Sequence, residues 1–357
     1  MNIRRQNEEH AKPRCAWKIR KELWLRAVPA ALLAFCLGCL PMSGLTAWAQ
    51  SYAEVNRERY EGPGATGGTV DLKTDNSEKE PAFGGGELHV LRDLGGLAAG
   101  QEHQQLSMVI KSADGKVLVV DGGLAEDSTH LLDTIRSMGG YVDAWLITHP
   151  QADHVGALID ILQHHAGEID IRNLYFKFLP FDWYQEVAEE DSGTVWSLQE
   201  ELKKLPQDRV HGEMKRGDSV QLSDQLSFRV LNDPQQISDS YAVNNSSLMY
   251  DVNLAGKHVI VLGDMGPEAG DKLLAEGVLD GITADFVQMS HHGQHGVTEA
   301  FYQALKPKAC IWPTPAWLYD AQENNPNAFT TYQTRRWIDA LGVTENYGTK
   351  NGDVLLK

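Results

Sequence analysis

The chain has 357 residues, with 32 Lys and Arg against 49 Asp and Glu, a formal net charge of −17, and four cysteines. That acidity disfavours tight binding to nucleic acid, whose affinity rests mainly on basic contacts with phosphate, but leaves small-molecule substrates open. The length leaves room for one large domain with a substantial core.

In chain order, residues 1–26 are polar and basic, 27–40 form a short apolar run, and Ala47-Trp48-Ala49 offers an A-x-A cleavage site before Gln50. That order predicts a secretory signal peptide over residues 1–49 and a secreted or extracytoplasmic protein, with an uncleaved anchor as the alternative. The run is short and contains Pro29, and no other stretch is long and apolar enough for a bilayer, so no membrane span is expected after processing. Removal of residues 1–49 would leave 24 basic and 46 acidic side chains. It would also remove Cys15, Cys36 and Cys39, leaving Cys310 in an apolar run as a buried small hydrophobe without a disulfide partner. Residues 50–85, rich in Gly, Glu, Asp, Asn and Thr, predict a flexible linker. Residues 86–357 are left as the folded domain.

From residue 87 the pattern is β-rich, then alternating. Strands are expected over 87–91, and over 106–111 and 116–121 about the turn Ala113-Asp114-Gly115. A helix over 130–138 ends at Gly139-Gly140, and a buried strand, 144–147, leads to Thr148-His149 and a helix over 155–162. A strand over 171–178, a helix over 195–205 and two or three strands over 209–231 follow. A hairpin turns at Ala255-Gly256. Helices over 267–276, 298–305 and 330–341 then alternate with strands over 286–290 and 309–313, before a last hairpin around Asn351-Gly352. Two β-rich halves, each closed by helices, predict an α/β fold of the four-layer αββα type.

Chemistry-bearing residues collect where apolar strands end. The central stretch reads His149-Pro150-Gln151-Ala152-Asp153-His154, which places two imidazoles and a carboxylate within six residues on a loop after a strand. Such a set suits zinc and related divalent ions. Strand 117–120 ends in Asp121-Gly122-Gly123, and strand 260–262 in Gly263-Asp264. Strand 286–290 runs into His291-His292-Gly293, and Asn244-Asn245-Ser246-Ser247 precedes another strand. Sites in α/β sheets gather at such strand ends.

This set resembles the metallo-β-lactamase superfamily, and within it the hydrolase domain of ComEC-type competence proteins. The hallmark H-x-H-x-D-H is matched at residues 149–154, with Gln151 in place of the second histidine. The HP-x-A-DH phrasing, the N-N-x-S-L segment at 244–248, the GD pair and the HHG segment carry the ComEC likeness. Bacterial phosphorylcholine esterases are a looser likeness. The resemblance implies a hydrolase with one or two divalent ions, Zn²⁺ first and Mn²⁺ or Mg²⁺ as alternatives. It implies that Asp153, His154 and Asp264, with a histidine of the 291–292 pair, hold one ion, and that His149 and a bridging Asp264 hold a second. Asp121 would support the ligand loop from behind. Gln151, with Asn244 or Asn245, stands where relatives carry ligands, which weakens the second position unless both His291 and His292 ligate. In the implied mechanism, Asp153 and Asp264 orient a metal-activated water, and His292 or His295 donates to the leaving group or oxyanion.

A phosphoester or phosphodiester substrate is the leading expectation. Hydrolysis of a lactone or lactam is the alternative within enzymes, and a non-catalytic binding module with a degenerate metal site the alternative outside them. The aromatic stretches 176–184 and 311–319 could shape a pocket or a cation–π box, although ordinary packing accounts for most such clusters.

Overall fold

The structure is a computed structural model that describes residues 72–96, 103–323 and 329–357. The expected signal peptide and residues 50–71 of the expected linker lie outside the described residues.

The first half supplies strands β1 (Glu87–Val90), β2 (Ser107–Lys111), β3 (Val117–Asp121), β4 (Tyr141–Val142), β5 (Ala144–Leu146), β6 (Asp170–Ile171), β7 (Leu174–Tyr175) and β8 (Val210–His211). The second half supplies β9 (Ser219–Gln221), β10 (Leu226–Val230), β11 (Tyr250–Leu254), β12 (Lys257–Val261), β13 (Phe286–Gln288), β14 (Ala309–Trp312) and β15 (Glu345–Gly348), and the chain ends in β16 (Val354–Leu356). Two seven-stranded sheets result, ordered β16-β1-β2-β3-β5-β7-β8 and β15-β14-β13-β12-β11-β10-β9, and β4 pairs with β6.

Burial sorts these elements into four layers. Alternation along β10 and β11 turns Phe228, Val230, Tyr250 and Val252 toward Leu88, Ile110, Leu118 and Leu146 of the first sheet, which makes the central core. The opposite face of the first sheet, with Val109, Val119 and Trp145, packs on helices α1 (Ser128–Ser137), α2 (Ala152–His164) and α4 (Glu189–Lys204). The opposite face of the second sheet, with Ile260, Val287 and Cys310, packs on α6 (Pro267–Ala275), α7 (Glu299–Leu305) and α9 (Thr331–Ala340). The expected αββα sandwich is the fold observed.

Several local expectations need correction. Residues 72–85 are largely exposed yet held in place: Lys73 and Asp75 bridge to Tyr347 and Leu355, and Phe83 is fully buried beside Phe286 with ring centroids 5.3 Å apart. Backbone pairing and one aromatic anchor hold this segment where hydropathy reads a tether. The turn at Asn351-Gly352 closes no hairpin, because β15 pairs with β14 in one sheet and β16 with β1 in the other. The long strand expected over 171–178 is broken into β6 and β7, and the aromatic stretch after it continues as α3 (Phe181–Val187). Asn244 and Asn245 end a one-turn helix, α5 (Ala242–Asn245), before the strand that follows.

The fold places one edge for chemistry. The parallel pairs β3–β5 and β12–β13 end together, so Asp121, Thr148, Asp264 and Ser290 leave their strands on one side. Thr148 O accepts the Leu248 N–H at 2.9 Å, which ties the loops of the two halves together, and Gly263 O accepts the His291 N–H at 3.1 Å within the second half. Gly263 has φ 58°, and a Cβ there would lie 2.8 Å from Thr148 Cβ. This crossing therefore requires glycine.

Candidate metal centre

β3 and β5 bring the first half of the site. All five residues of β3 are buried, and it ends at Asp121 with φ 57°, a left-handed conformation that costs a non-glycine residue about 1–2 kcal/mol. The conformation turns the carboxylate across the strand ends. Asp121 Oδ1 accepts the Thr148 N–H at 2.8 Å, and Oδ2 accepts the Thr148 hydroxyl at 2.7 Å. Oδ2 also lies 2.7 Å from His154 Nδ1. The Trp145 indole N–H donates to Asp121 O. With Nδ1 committed to Asp121, His154 turns its Nε2 to the site. Helix α2 carries this ring. Its apolar positions Val155, Leu158 and Ile161 face the core, and Gly156 lets the helix approach to where a Cβ would stand 2.7 Å from Ala125 N.

The second half contributes Asp264 after β12, and His291 and His292 after β13. The latter two have φ 51° and 55°, and His295 has φ 45°. Of the six non-glycine residues with positive φ among those described, four are Asp121, His291, His292 and His295. Backbone strain concentrated at one place marks it as functional. His292 Nδ1 donates to Pro313 O at 3.0 Å, so its Nε2 also points inward.

Four side chains converge. His154 Nε2 lies 3.2 Å from Asp264 Oδ2, and His292 Nε2 lies 3.3 Å from both Asp264 Oδ2 and Asp153 Oδ2. The ligand atoms of Asp153, His154, Asp264 and His292 all fall within 4.8 Å of one another, the one such grouping among the described residues. His154 Nε2, His292 Nε2 and both Asp264 oxygens are buried with no hydrogen-bond partner outside the set and only one another or Asp153 for company within it. Unpaired buried polar atoms are costly, and two imidazoles with two carboxylates are an oxygen–nitrogen donor set for a divalent ion. The residues present therefore fit a metal ion.

Electrostatics agree. Burial opposes charge on all four groups, but each acidic group offsets a basic one. Asp264 and Asp153 overcome burial to hold His292 up to about 9 and His154 well above its ordinary value. His154 and His292 overcome it in turn to hold Asp153 down to about 2 and Asp264 well below the carboxylate range. Asp121 has no cation facing it except His154, and burial raises it.

The remaining expected site residues are placed differently. His149 is fully buried beside His154, with ring centroids 4.1 Å apart, but its Nδ1 lies 3.1 Å from Thr148 Oγ1 and its Nε2 2.9 Å from Gln151 Oε1. Burial and the His154 charge push it down to about 3. His291 Nε2 reaches Asp264 Oδ2 only at 3.9 Å. Asn245 touches none of the four: its amide donates to Asp239 and its oxygen accepts the Ala269 N–H at 3.3 Å, near the start of α6. His292 commits Nδ1 to Pro313 O and turns its Nε2 to Asp153 and Asp264 at 3.3 Å, inside the four-residue set. Burial, then His291, pushes the His295 ring down to about 3, so at neutral pH it offers an N–H but no imidazolium. The aromatic stretches pack as core: Trp183 and Tyr184 are buried together, and Trp312 and Tyr319 meet edge to face at 5.4 Å. Pro313 O, Thr148 and Asp191 act here without having been singled out. A backbone acceptor and a carboxylate forty positions from Gln151 leave no local signal in a sequence.

A family model described as Metallo-beta-lactamase superfamily matches residues 100–309. ComE operon protein 3 of Bacillus subtilis (strain 168) is 32% identical over 171 residues, 48% of this chain and 20% of that protein, so the chain spans about a fifth of that relative's length. Among solved structures, the metallo-beta-lactamase fold protein YhfI of Bacillus subtilis aligns with TM-score 0.44 at 12% identity, over 76% of this chain and 99% of YhfI. The Zn(2+)-bound PqqB of Methylobacterium extorquens aligns with TM-score 0.45 at 11% identity, over 76% and 99%. With two packed sheets, helices on both outer faces and a family match over more than half its length, this chain belongs to the metallo-β-lactamase superfamily.

Proposed function

We propose that this chain is an exported, metal-dependent hydrolase of phosphoester or phosphodiester bonds. The observation that carries the hydrolase reading is the inward convergence of four unpaired donor atoms from His154, Asp264 and His292 beside Asp153. A divalent ion there, with Zn²⁺ the best match to the donors, would lower the pKa of a bound water and polarise a substrate oxygen. Asp121 and Pro313 O fix the two rings by taking their Nδ1 protons, a support that raises ligand basicity and locks orientation. Asp153 is the member of the set that reaches solvent, with 20% side-chain exposure against 1% or less for the others, so it faces arriving substrate and can accept the proton of the attacking water. The His295 N–H can stabilise developing negative charge on the substrate. The phosphoester class is supported by the likeness of residues 149–154, 244–248 and 291–293 to ComEC-type hydrolase domains. Export is supported by the basic, apolar and A-x-A order of residues 1–49. No helix among the described residues is long and apolar enough to cross a membrane.

The test is a screen of chromogenic phosphodiesters, phosphomonoesters, phosphocholine esters and lactones with zinc or manganese added. Phosphodiester or phosphoester turnover that chelation abolishes and metal restores is expected. Turnover of lactones alone would transfer the assignment to acyl hydrolysis, and a metal-loaded protein inert toward every class would leave a binding module.

A further inference from the structure

His149 and His154 are neighbours in space, but only His154 has a nitrogen left over for an ion. The His149 Nε2–H donates to Gln151 Oε1 at 2.9 Å and its Nδ1 is turned away against Thr148 Oγ1 at 3.1 Å, so neither nitrogen is open toward an ion. The amide nitrogen of Gln151 donates in turn to Asp191 Oδ2 at 3.1 Å. Asp191 lies in the first turn of α4, so a helix packed on the first sheet reaches into the ligand loop.

We propose that this chain binds one metal ion rather than two, because Gln151, held by Asp191, occupies His149 Nε2. The inference rests on the four-residue set being the metal centre. Three features support it. A neutral amide is a poor ligand beside an imidazole: its oxygen is a weak donor and its nitrogen has no free lone pair. No second grouping of three donor side chains exists among the described residues, and His291 approaches Asp264 alone, at 3.9 Å. An ion on His149 Nε2 would also break the bond to Gln151, the inner of two part-buried hydrogen bonds that run from His149 through Gln151 to Asp191. On the other side of His149, whose Nδ1 lies 3.1 Å from Thr148 Oγ1, the Thr148 hydroxyl and His154 Nδ1 both donate to Asp121 Oδ2. The His149 pocket thus serves as a buttress for a ligand of the first ion, and Asp191 is a positioning residue at its far end.

The experiment is zinc titration of the purified protein against a chromophoric chelator, with elemental analysis of metal per chain. Wild type is expected to saturate at one ion. Gln151→His, folded by circular dichroism, is expected to saturate at two. Adding Asp191→Ala to that variant should weaken the second ion about ten- to hundredfold and leave the first unchanged, because Asp191 aims the side chain at position 151. A purely structural role for Asp191 would weaken both or neither, and that result overturns its assignment. Two ions of comparable affinity in wild type overturn the inference while sparing the four-residue centre, whereas no bound ion in wild type overturns both. A folded Gln151→His that still holds one ion shows that Gln151 is not what closes the position. Should that variant fail to fold, the wild-type count decides alone.

Discussion

His154 and His149 lie ring against ring, both fully buried, in opposite surroundings. His154 has a carboxylate behind it and two in front, so it is held cationic until an ion replaces its proton. His149 has a hydroxyl behind and an amide in front, and burial keeps it neutral. Two residues of one type, alike in a sequence, are thus separated by the groups at their far nitrogens. Position near a metal is not ligation, and the unpaired lone pair is the better sign.

The strongest way to break this contrast is to remove one side at a time. Asp264→Ala should lose essentially all bound metal, a fall of a thousandfold or more in affinity, on the order of 4 kcal/mol. His149→Ala should keep its single ion. Elemental analysis of the two variants side by side checks both expectations, and wild-type metal in Asp264→Ala would remove Asp264 from the centre.

A smaller effect is expected from pH. In the ion-free protein, Asp264 and Asp153 overcome burial to keep His292 protonated up to about 9 and His154 higher still. An ion must displace both protons, so its apparent affinity falls as pH drops, by up to about a hundredfold per unit below the His292 value. His149, already neutral, adds nothing to this slope. Zinc affinities measured at roughly pH 6 and roughly pH 8 read it directly, and a flat profile would mean that the rings bind the ion without releasing protons.

The smallest effect sharpens the contrast from behind. Asp121→Asn keeps the shape but removes the charge that receives the His154 Nδ1 proton and the Thr148 hydroxyl. Metal affinity should fall about ten- to hundredfold with stoichiometry unchanged. A loss matching Asp264→Ala would promote Asp121 to a ligand.

Much of this was legible in the sequence because the signals are local. Apolar strands that end in Asp121, His149, Asp264 and His291 announce both the sheets and the edge where they meet. The four layers follow from two β-rich halves with helices. What stayed hidden depends on partners far along the chain. Gln151 reads as a lost ligand, while its tie to Asp191 is set by α4, whose first turn carries Glu and Asp rather than the apolar spacing that marks the helix from Val195. The left-handed backbone at Asp121, His291 and His292 has no signature, since none is glycine. Residues 72–85 were misread because strand bridges there use backbone atoms, to which composition is blind.

The split of the last two strands has a consequence for how the molecule is made. β1 pairs on one side with β2 and on the other with β16, so Leu88 waits for Leu356. Until those residues emerge from the ribosome, one edge of the first sheet stays open, with unpaired N–H and C=O groups along β1. Contacts so distant in sequence form late and slowly, so the first sheet is completed only when the last strand docks on β1.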